Sequence, residues 1–393
     1  MIPRHFSDRL HQLLEQFPVV TVFGPRQAGK TTFVKHALPD WQYIDLERRR
    51  DRVRVEEDIE YFLSQLDGPI IFDEAQLAPE LFSELRGFVD RDRAKKGRIV
   101  LLGSASFRLN QQVSETLAGR VGFVDLTPLH WHELHGSELD ISMSDRWFRG
   151  GFPEAVLNNS NEQRFEWFES YVRTFVERDL PAMGINVTAA QMHSLWRMLA
   201  HFHGSLWNAS QLASSLSVDY KTVNRYVDIL EQAFLIRKLQ PYFVNLGKRL
   251  VKRPKVYLRD SGLLHHFLDV AEPKKLDVSP NRGASWEGFV IEQIIEAYRL
   301  SKPQYHPYFW RTARGSEVDL LMVAGENIIP FEIKLHSSPT KKMVTGLLQC
   351  MQDLNLKSGY VVYPGTERYS LGDGIITLPA QKLLEKFSDL PGD

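Results

Sequence analysis

Nine residues near the start of the chain, GPRQAGKTT from Gly24 to Thr32, combine two glycines, a lysine and two threonines at a spacing suited to a polyphosphate. Gly24, Gly29, Lys30 and Thr31 satisfy the pattern G-x-x-x-x-G-K-[ST] in full. Glycine is needed where the backbone curls so tightly that its N–H groups point inward at a phosphate and a Cβ would obstruct the approach. Pro25, Arg26, Gln27, Ala28 and Thr32 would complete the cradle. Lys30 would reach the β- and γ-phosphates and the Thr31 hydroxyl would hold Mg²⁺, which makes ATP and Mg²⁺ the expected ligands.

Further along, GPIIFDEAQ (Gly68 to Gln76) is an apolar run that ends in two adjacent carboxylates. Asp73 would hold the Mg²⁺ through its water shell, and Glu74 would polarise the attacking water. In RIVLLGSAS, a strand lying between the two motif strands would bring the Ser104 hydroxyl near the γ-phosphate. Arg120, in LAGRVGFVDL, is the candidate arginine finger, acting in cis or from a neighbouring copy in a homo-oligomer.

A second constellation stands in the last third. Asp319 lies in EVDLLMV, and Glu332 and Lys334 lie two apart in IIPFEIKL, so the period-two pleat puts that pair on one face. Charged residues inside apolar strands are costly to bury unpaired. Asp319 and Glu332 would share Mg²⁺ or Mn²⁺, with Glu287 from the preceding helix as a further ligand and Lys334 orienting a water or stabilising developing charge.

These residues need elements to position them. VVTVF (Val19 to Phe23) before the glycines and FVKHAL after them read as a buried strand and a helix. WQYIDLE, the acidic-tipped run and RIVLLGSAS add strands alternating with helical segments, which is the pattern of a doubly wound parallel sheet. In such sheets ligands bind at the carboxyl ends of the strands, so the two motifs converge on one nucleotide. From Trp147 to Phe202 the periodicity is helical. Asn208 to Leu239 reads as a helix-turn-helix, with Leu212, Ala213 and Leu216 on its inner face, and FLIRKLQPYF as a strand of a wing.

Lys221, Thr222, Asn224 and Arg225 on the second helix are suited to phosphates and base edges. LGKRLVKRPKVYLRD adds Lys248, Arg249, Lys252, Arg253 and Lys255, the densest basic cluster of the chain. Because the net charge of the 393-residue chain is only −1, a nucleic-acid partner must be met by such a local patch. DNA is the expected partner, with RNA as the weaker alternative. The competing expectation is a nucleotide switch that binds a protein partner and keeps its last domain as a scaffold. A single cysteine, Cys350, leaves no intramolecular disulfide and no cysteine-based zinc site, which favours a reducing cytoplasm. No apolar run reaches the length of a membrane span. His130, His132 and His135 lack the spacing of a zinc site.

GPRQAGKTT, IIFDEAQ, GSAS, LAGR, RGGFPE and VERDL, in this order, resemble the bacterial and archaeal AAA-type ATPases labelled AAA_14 with a C-terminal DUF4143 region. The resemblance runs over nearly the whole chain and departs from the family at PLHWHEL, where an apolar-Ser-Phe run usually precedes an acidic residue. It implies ATPase activity and leaves the biological task open. The carboxylates and lysine of the last third resemble a PD-(D/E)xK nuclease. The expected organisation is a P-loop ATPase domain over 1–145, a helical lid over 146–204, a winged helix over 205–272 and an α/β restriction-endonuclease-like domain over 283–393.

Overall fold

The computed structural model describes residues 2–104, 113, 115–158, 160–182, 184–185, 187–243 and 251–392. It divides into two compact units: residues 1–129 with 179–185 and 228–235, and the remainder of the chain.

The first unit is built on five parallel strands: β1 (Val19–Gly24), β2 (Gln42–Asp45), β3 (Ile70–Asp73), β4 (Ile99–Ser104) and β5 (Val121–Asp125). Their order across the sheet is β2-β3-β4-β1-β5. β1 and β3 are buried along their whole length, so their sequences are apolar without alternation, as a sheet covered on both faces requires. The helices Lys30–Ala37 and Leu81–Asp90 follow β1 and β3. Phe23, Phe72, Leu85, Val89 and Leu101 belong to the core of this unit.

The second unit holds two sheets. Three short antiparallel strands, β6 (Ser205–Leu206), β7 (Ile236–Leu239) and β8 (Lys255–Leu258), run in the order β6-β8-β7. Helices Ala209–Leu216 and Tyr220–Gln232 lie between β6 and β7 in the chain. Asn208 caps the first of these, and Leu212, Ala213 and Leu216 are its buried residues, the face read from the sequence.

The larger sheet is mixed, with strands β9 (His306–Arg311), β10 (Glu317–Ala324), β11 (Asn327–Ile333), β12 (Gly359–Tyr363), β13 (Ser370–Gly372) and β14 (Ile375–Pro379). Their order is β13-β14-β12-β11-β10-β9. β10 and β11 form a hairpin in which Ala324 pairs with Asn327, and Gly325 takes the positive φ of 60° that the two-residue turn demands. Leu320 and Met322 share a core with helix Arg282–Ser301, while Leu321 and Val323 share another with helix Thr345–Asp353. Glu292 and Glu296 of the long helix pair with Arg237 of β7 and with Arg259, the residue after β8. A buried ionic network therefore fixes the small sheet to that helix.

Candidate functional site

The glycine-rich turn leaves β1 at the carboxyl edge of the first sheet. A Cβ on Gly24 would lie 2.0 Å from the Leu126 carbonyl oxygen, so this position is closed to any side chain by the exit of β5. Gly29 caps the following helix at φ 88°, a left-handed conformation that suits glycine. Gln27 is also left-handed, at φ 60°. Arg4 donates to Ala28 O at 3.0 Å and to Thr127 O at 2.6 Å, which props the turn from below. Arg26 donates to Asp179 Oδ1 at 2.5 Å, tying the turn to residues 179–185 of the same unit. Pro25 is buried and Thr32 is exposed.

Lys30 is buried, and its ammonium donates to the carbonyls of Gly24 and Pro25 at 3.2 and 2.9 Å. Burial lowers its pKa to about 8, against the opposing pull of Glu74 and Asp73. One helical step on, the Thr31 hydroxyl donates to Asp73 Oδ2 at 2.6 Å. Tyr43, from β2, donates to the same oxygen at 2.7 Å. Asp73 Oδ1 accepts the backbone N–H of Glu74 at 2.9 Å. A hydroxyl and a carboxylate this close are hard oxygen donors of the kind Mg²⁺ selects, so these residues fit the ion expected with ATP.

Glu74 stands in the left-handed region, at φ 54° and ψ 44°. A non-glycine residue held there is strained, and such outliers gather at functional sites. Its carboxylate accepts from Ser104 Oγ at 3.3 and 3.4 Å and from Gln76 Nε2. β4 lies between β1 and β3, the place expected for the strand carrying Ser104. Lys30, Thr31, Asp73, Glu74 and Ser104 are thus brought to one edge. Arg4, Tyr43, Gln76 and Asp179 are additions: Arg4 lies outside every motif, and Tyr43, Gln76 and Asp179 stand inside WQYIDLE, GPIIFDEAQ and VERDL without a signal of their own.

Arg120 is placed differently from its expected role. Its carbonyl accepts from Val19 N–H at the start of β1, the opposite end of the strand from the glycine-rich turn, about 16 Å away at the usual rise per strand residue. Its guanidinium grips both oxygens of Asp90 at 2.7 and 2.9 Å. A finger acting in cis does not fit this position.

In the second unit, Leu320 pairs with Phe331, so the preceding rung sets Asp319 opposite Glu332 on one face. Glu287 reaches the same place from the long helix, and Lys334 stands one residue past the end of β11. The structure brings these four predicted residues together and adds Lys255, Tyr257 and Glu317. Lys255 was expected in an exposed basic cluster. It is instead buried, with its ammonium 3.1 Å from Glu287 Oε1, 3.8 Å from Asp319 Oδ1 and bonded to Glu317 Oε1. Asp319 Oδ2 accepts the Ile333 backbone N–H at 2.8 Å, and Glu332 Oε1 accepts from Lys334 at 2.5 Å. Burial raises the pKa of both Asp319 and Glu332; Glu287 adds like charge to both, and Glu332 adds it to Asp319. Among the described residues no three carboxylate, histidine or cysteine side chains are disposed to hold a metal ion. Cationic nitrogens stand among the carboxylates expected to hold Mg²⁺ or Mn²⁺, Lys255 against Glu287 and Glu317 and Lys334 against Glu332, while Glu332 Oε2 is buried without a hydrogen-bond partner.

Of the expected nucleic-acid contacts, Lys221, Arg225, Lys252 and Arg253 are exposed. Thr222 Oγ1 is committed to Asp219 at 2.7 Å, and Asn224 Oδ1 accepts from Trp207 Nε1 at 2.8 Å, so these two serve local structure. Lys248 and Arg249 lie outside the described residues. His130 is buried, the His132 ring lies 4.3 Å from that of Phe387, and His135 stacks on Trp131 at 4.6 Å. No described helix is long and apolar enough to cross a membrane.

An AAA domain (AAA_14) matches residues 16–135, a domain of unknown function (DUF8612) residues 141–274, and another (DUF4143) residues 282–383. An uncharacterized protein of Mycobacterium tuberculosis is 40% identical over 384 residues, covering 97% of this chain and 84% of that protein. An uncharacterized protein of Haemophilus influenzae is 28% identical over 43% of this chain and 46% of its own. Among solved structures, the Walker-type ATPase of Pyrococcus abyssi is similar at a TM-score of 0.48 and 14% identity, covering 68% of this chain and 96% of that one.

Proposed function

The chain belongs to one family with the mycobacterial protein and carries an AAA domain and a DUF4143 region, and we propose that its first unit hydrolyses ATP with Mg²⁺. The observation that carries this reading is the convergence of Lys30, Thr31, Asp73, Glu74 and Ser104 on the carboxyl ends of β1, β3 and β4. Thr31 and Asp73 would hold the Mg²⁺, which supplies positive charge against the phosphate oxygens. Lys30 leaves the carbonyls of Gly24 and Pro25 to meet the β- and γ-phosphates. Glu74, steadied by Ser104 and Gln76, accepts a proton from the attacking water. The test is phosphate release from ATP by the full chain. Glu74→Gln is expected to keep nucleotide binding and lose at least 10²-fold in rate, on the order of general-base effects; full activity in Glu74→Gln would sink the assignment.

For the second unit we propose that Lys221, Arg225, Lys252 and Arg253 engage the phosphates of DNA, through a helix and strand arrangement read as a winged helix, under control of the nucleotide state. Lys221 and Arg225 are four residues apart on helix Tyr220–Gln232 and share one exposed face, which supports this reading. The ion pairs of Lys255 with Glu287 and Glu317 weigh against DNA cleavage by the last domain. Those pairs favour a second reading, in which the last domain is a scaffold and the chain is a switch that assembles with itself or a protein partner on binding ATP. Salt-dependent duplex binding, lost on Lys252→Glu with Arg253→Glu, supports the first reading; nucleotide-dependent assembly without affinity for DNA or RNA supports the second.

A further inference from the structure

We infer that the ammonium of Lys255 takes the place of a divalent cation in the carboxylate cluster of Glu287, Glu317 and Asp319, making it an internally neutralised ionic core. This goes beyond the ATPase reading and does not rest on it. The cluster has a cation for nearly every anion. Lys255 meets Glu287, Glu317 and Asp319, Arg311 meets Glu317 Oε2 at 2.5 Å, and Lys334 meets Glu332. Tyr257 adds a hydroxyl on Glu287 Oε1 at 2.7 Å. A metal entering at this point would have to evict a buried ammonium that is bonded to Glu287 and Glu317 and lies 3.8 Å from Asp319 Oδ1.

The lysine cannot easily step aside. Lys255 opens β8, the middle strand of its sheet, and its backbone pairs with Leu206 on one side and Leu239 on the other. Its ammonium lies 5.8 Å from the centre of the Phe309 ring and 6.0 Å from that of Tyr257, so aromatic faces wall the charge in. The neighbouring carboxylates hold its proton firmly, with a pKa well above that of a free lysine despite burial.

The experiment counts Mn²⁺ bound to the nucleotide-free full chain by the electron paramagnetic resonance of the free ion. Wild type and Asp319→Asn are expected to bind the same number, because the cluster takes no metal. Lys255→Met is expected to gain one Mn²⁺ per chain, and Lys255→Met with Asp319→Asn to lose that gain. A wild-type site that disappears in Asp319→Asn overturns the inference, as does a folded Lys255→Met that gains none. Circular dichroism reports folding; if Lys255→Met does not fold, the wild type and Asp319→Asn pair still decides.

Discussion

The phenol of Tyr43 donates its proton to Asp73 Oδ2 at 2.7 Å, beside the Thr31 hydroxyl at 2.6 Å on the same oxygen. β2 and β3 are neighbours in parallel register, with Tyr43 opposite Ile71, and this pairing delivers the tyrosine to the end of β3. The Lys35 ammonium sits 3.6 Å over the tyrosine ring and holds it from the other side. Tyr43 is a positioning residue for the carboxylate that would hold Mg²⁺. Tyr43→Phe should lower kcat/KM for ATP about tenfold, about 1.4 kcal/mol, as a hydrogen bond to a charged group is lost. The measurement is a Mg²⁺ titration of the rate: a raised Mg²⁺ requirement marks positioning, and an unchanged one sinks the assignment.

Lys30 predicts a proton linkage. Its pKa of about 8 in the empty site leaves the ammonium about half deprotonated at pH 8. Bound phosphates favour the charged form, so ATP binding at pH 8 should take up about half a proton per site. Calorimetry in buffers of different ionisation enthalpy reads this directly, and Lys30→Met should abolish it. Because the folded pKa lies below the unfolded one, Lys30 makes the empty protein gain stability as pH rises from about 8 towards 10.5.

Arg120 should matter little to the chemistry within one chain. With its guanidinium on Asp90 at the far end of the sheet, Arg120→Ala is expected to leave kcat within about twofold, below the 10³-fold or greater loss of a finger. Rate measured across protein concentration extends the test to action between copies. A loss of 10³-fold would show that Arg120 leaves Asp90 during turnover.

Two buried histidines predict acid sensitivity of the second unit. Burial lowers His203 to about 3 and His265 to about 4. His265 bonds Phe148 O at 3.0 Å and Ser285 Oγ at 2.7 Å, and His203 Nδ1 accepts the Leu258 N–H at 3.0 Å. The unfolded chain binds two more protons than the folded one between those values and the usual pKa of 6.5. Stability is therefore full above 6.5 and falls with pH at a slope of about 2.7 kcal/mol per unit once both histidines contribute. Urea unfolding at a series of pH values gives the slope, and His265→Asn should remove about half of it.

If Lys221, Arg225, Lys252 and Arg253 each meet a phosphate, the logarithm of the duplex binding constant should fall with the logarithm of salt at a slope of about −3.6 from these four contacts. Reversing Lys252 and Arg253 should reduce that slope by about 2. Fluorescence anisotropy from 50 to 200 mM salt, a range suited to this effect, makes the comparison. A slope unchanged by the reversal would exclude these residues from the contact.

The glycine-rich turn and the acidic tip of β3 were legible because each is a contiguous motif whose apolar run, turn and first helical residues depend on near neighbours in the chain. The pairing of Asp319 with Glu332 was legible for a similar reason, since a two-residue turn at Gly325 fixes the hairpin register. Arg120 and Lys255 were not. An arginine after a glycine and a lysine in a basic run look the same whether they face solvent, phosphate or a carboxylate.

By itself, then, the sequence determined the nucleotide-binding edge: residue types at fixed local spacing, with a left-handed turn that suits glycine at Gly29. Tertiary structure alone decided the fate of the charges. It put Asp90 under Arg120 across 30 residues, and Glu287 beside Lys255 across 32. Coulomb attraction acts through space and is strengthened by burial, so which anion a cation meets depends on packing between elements far apart in the chain.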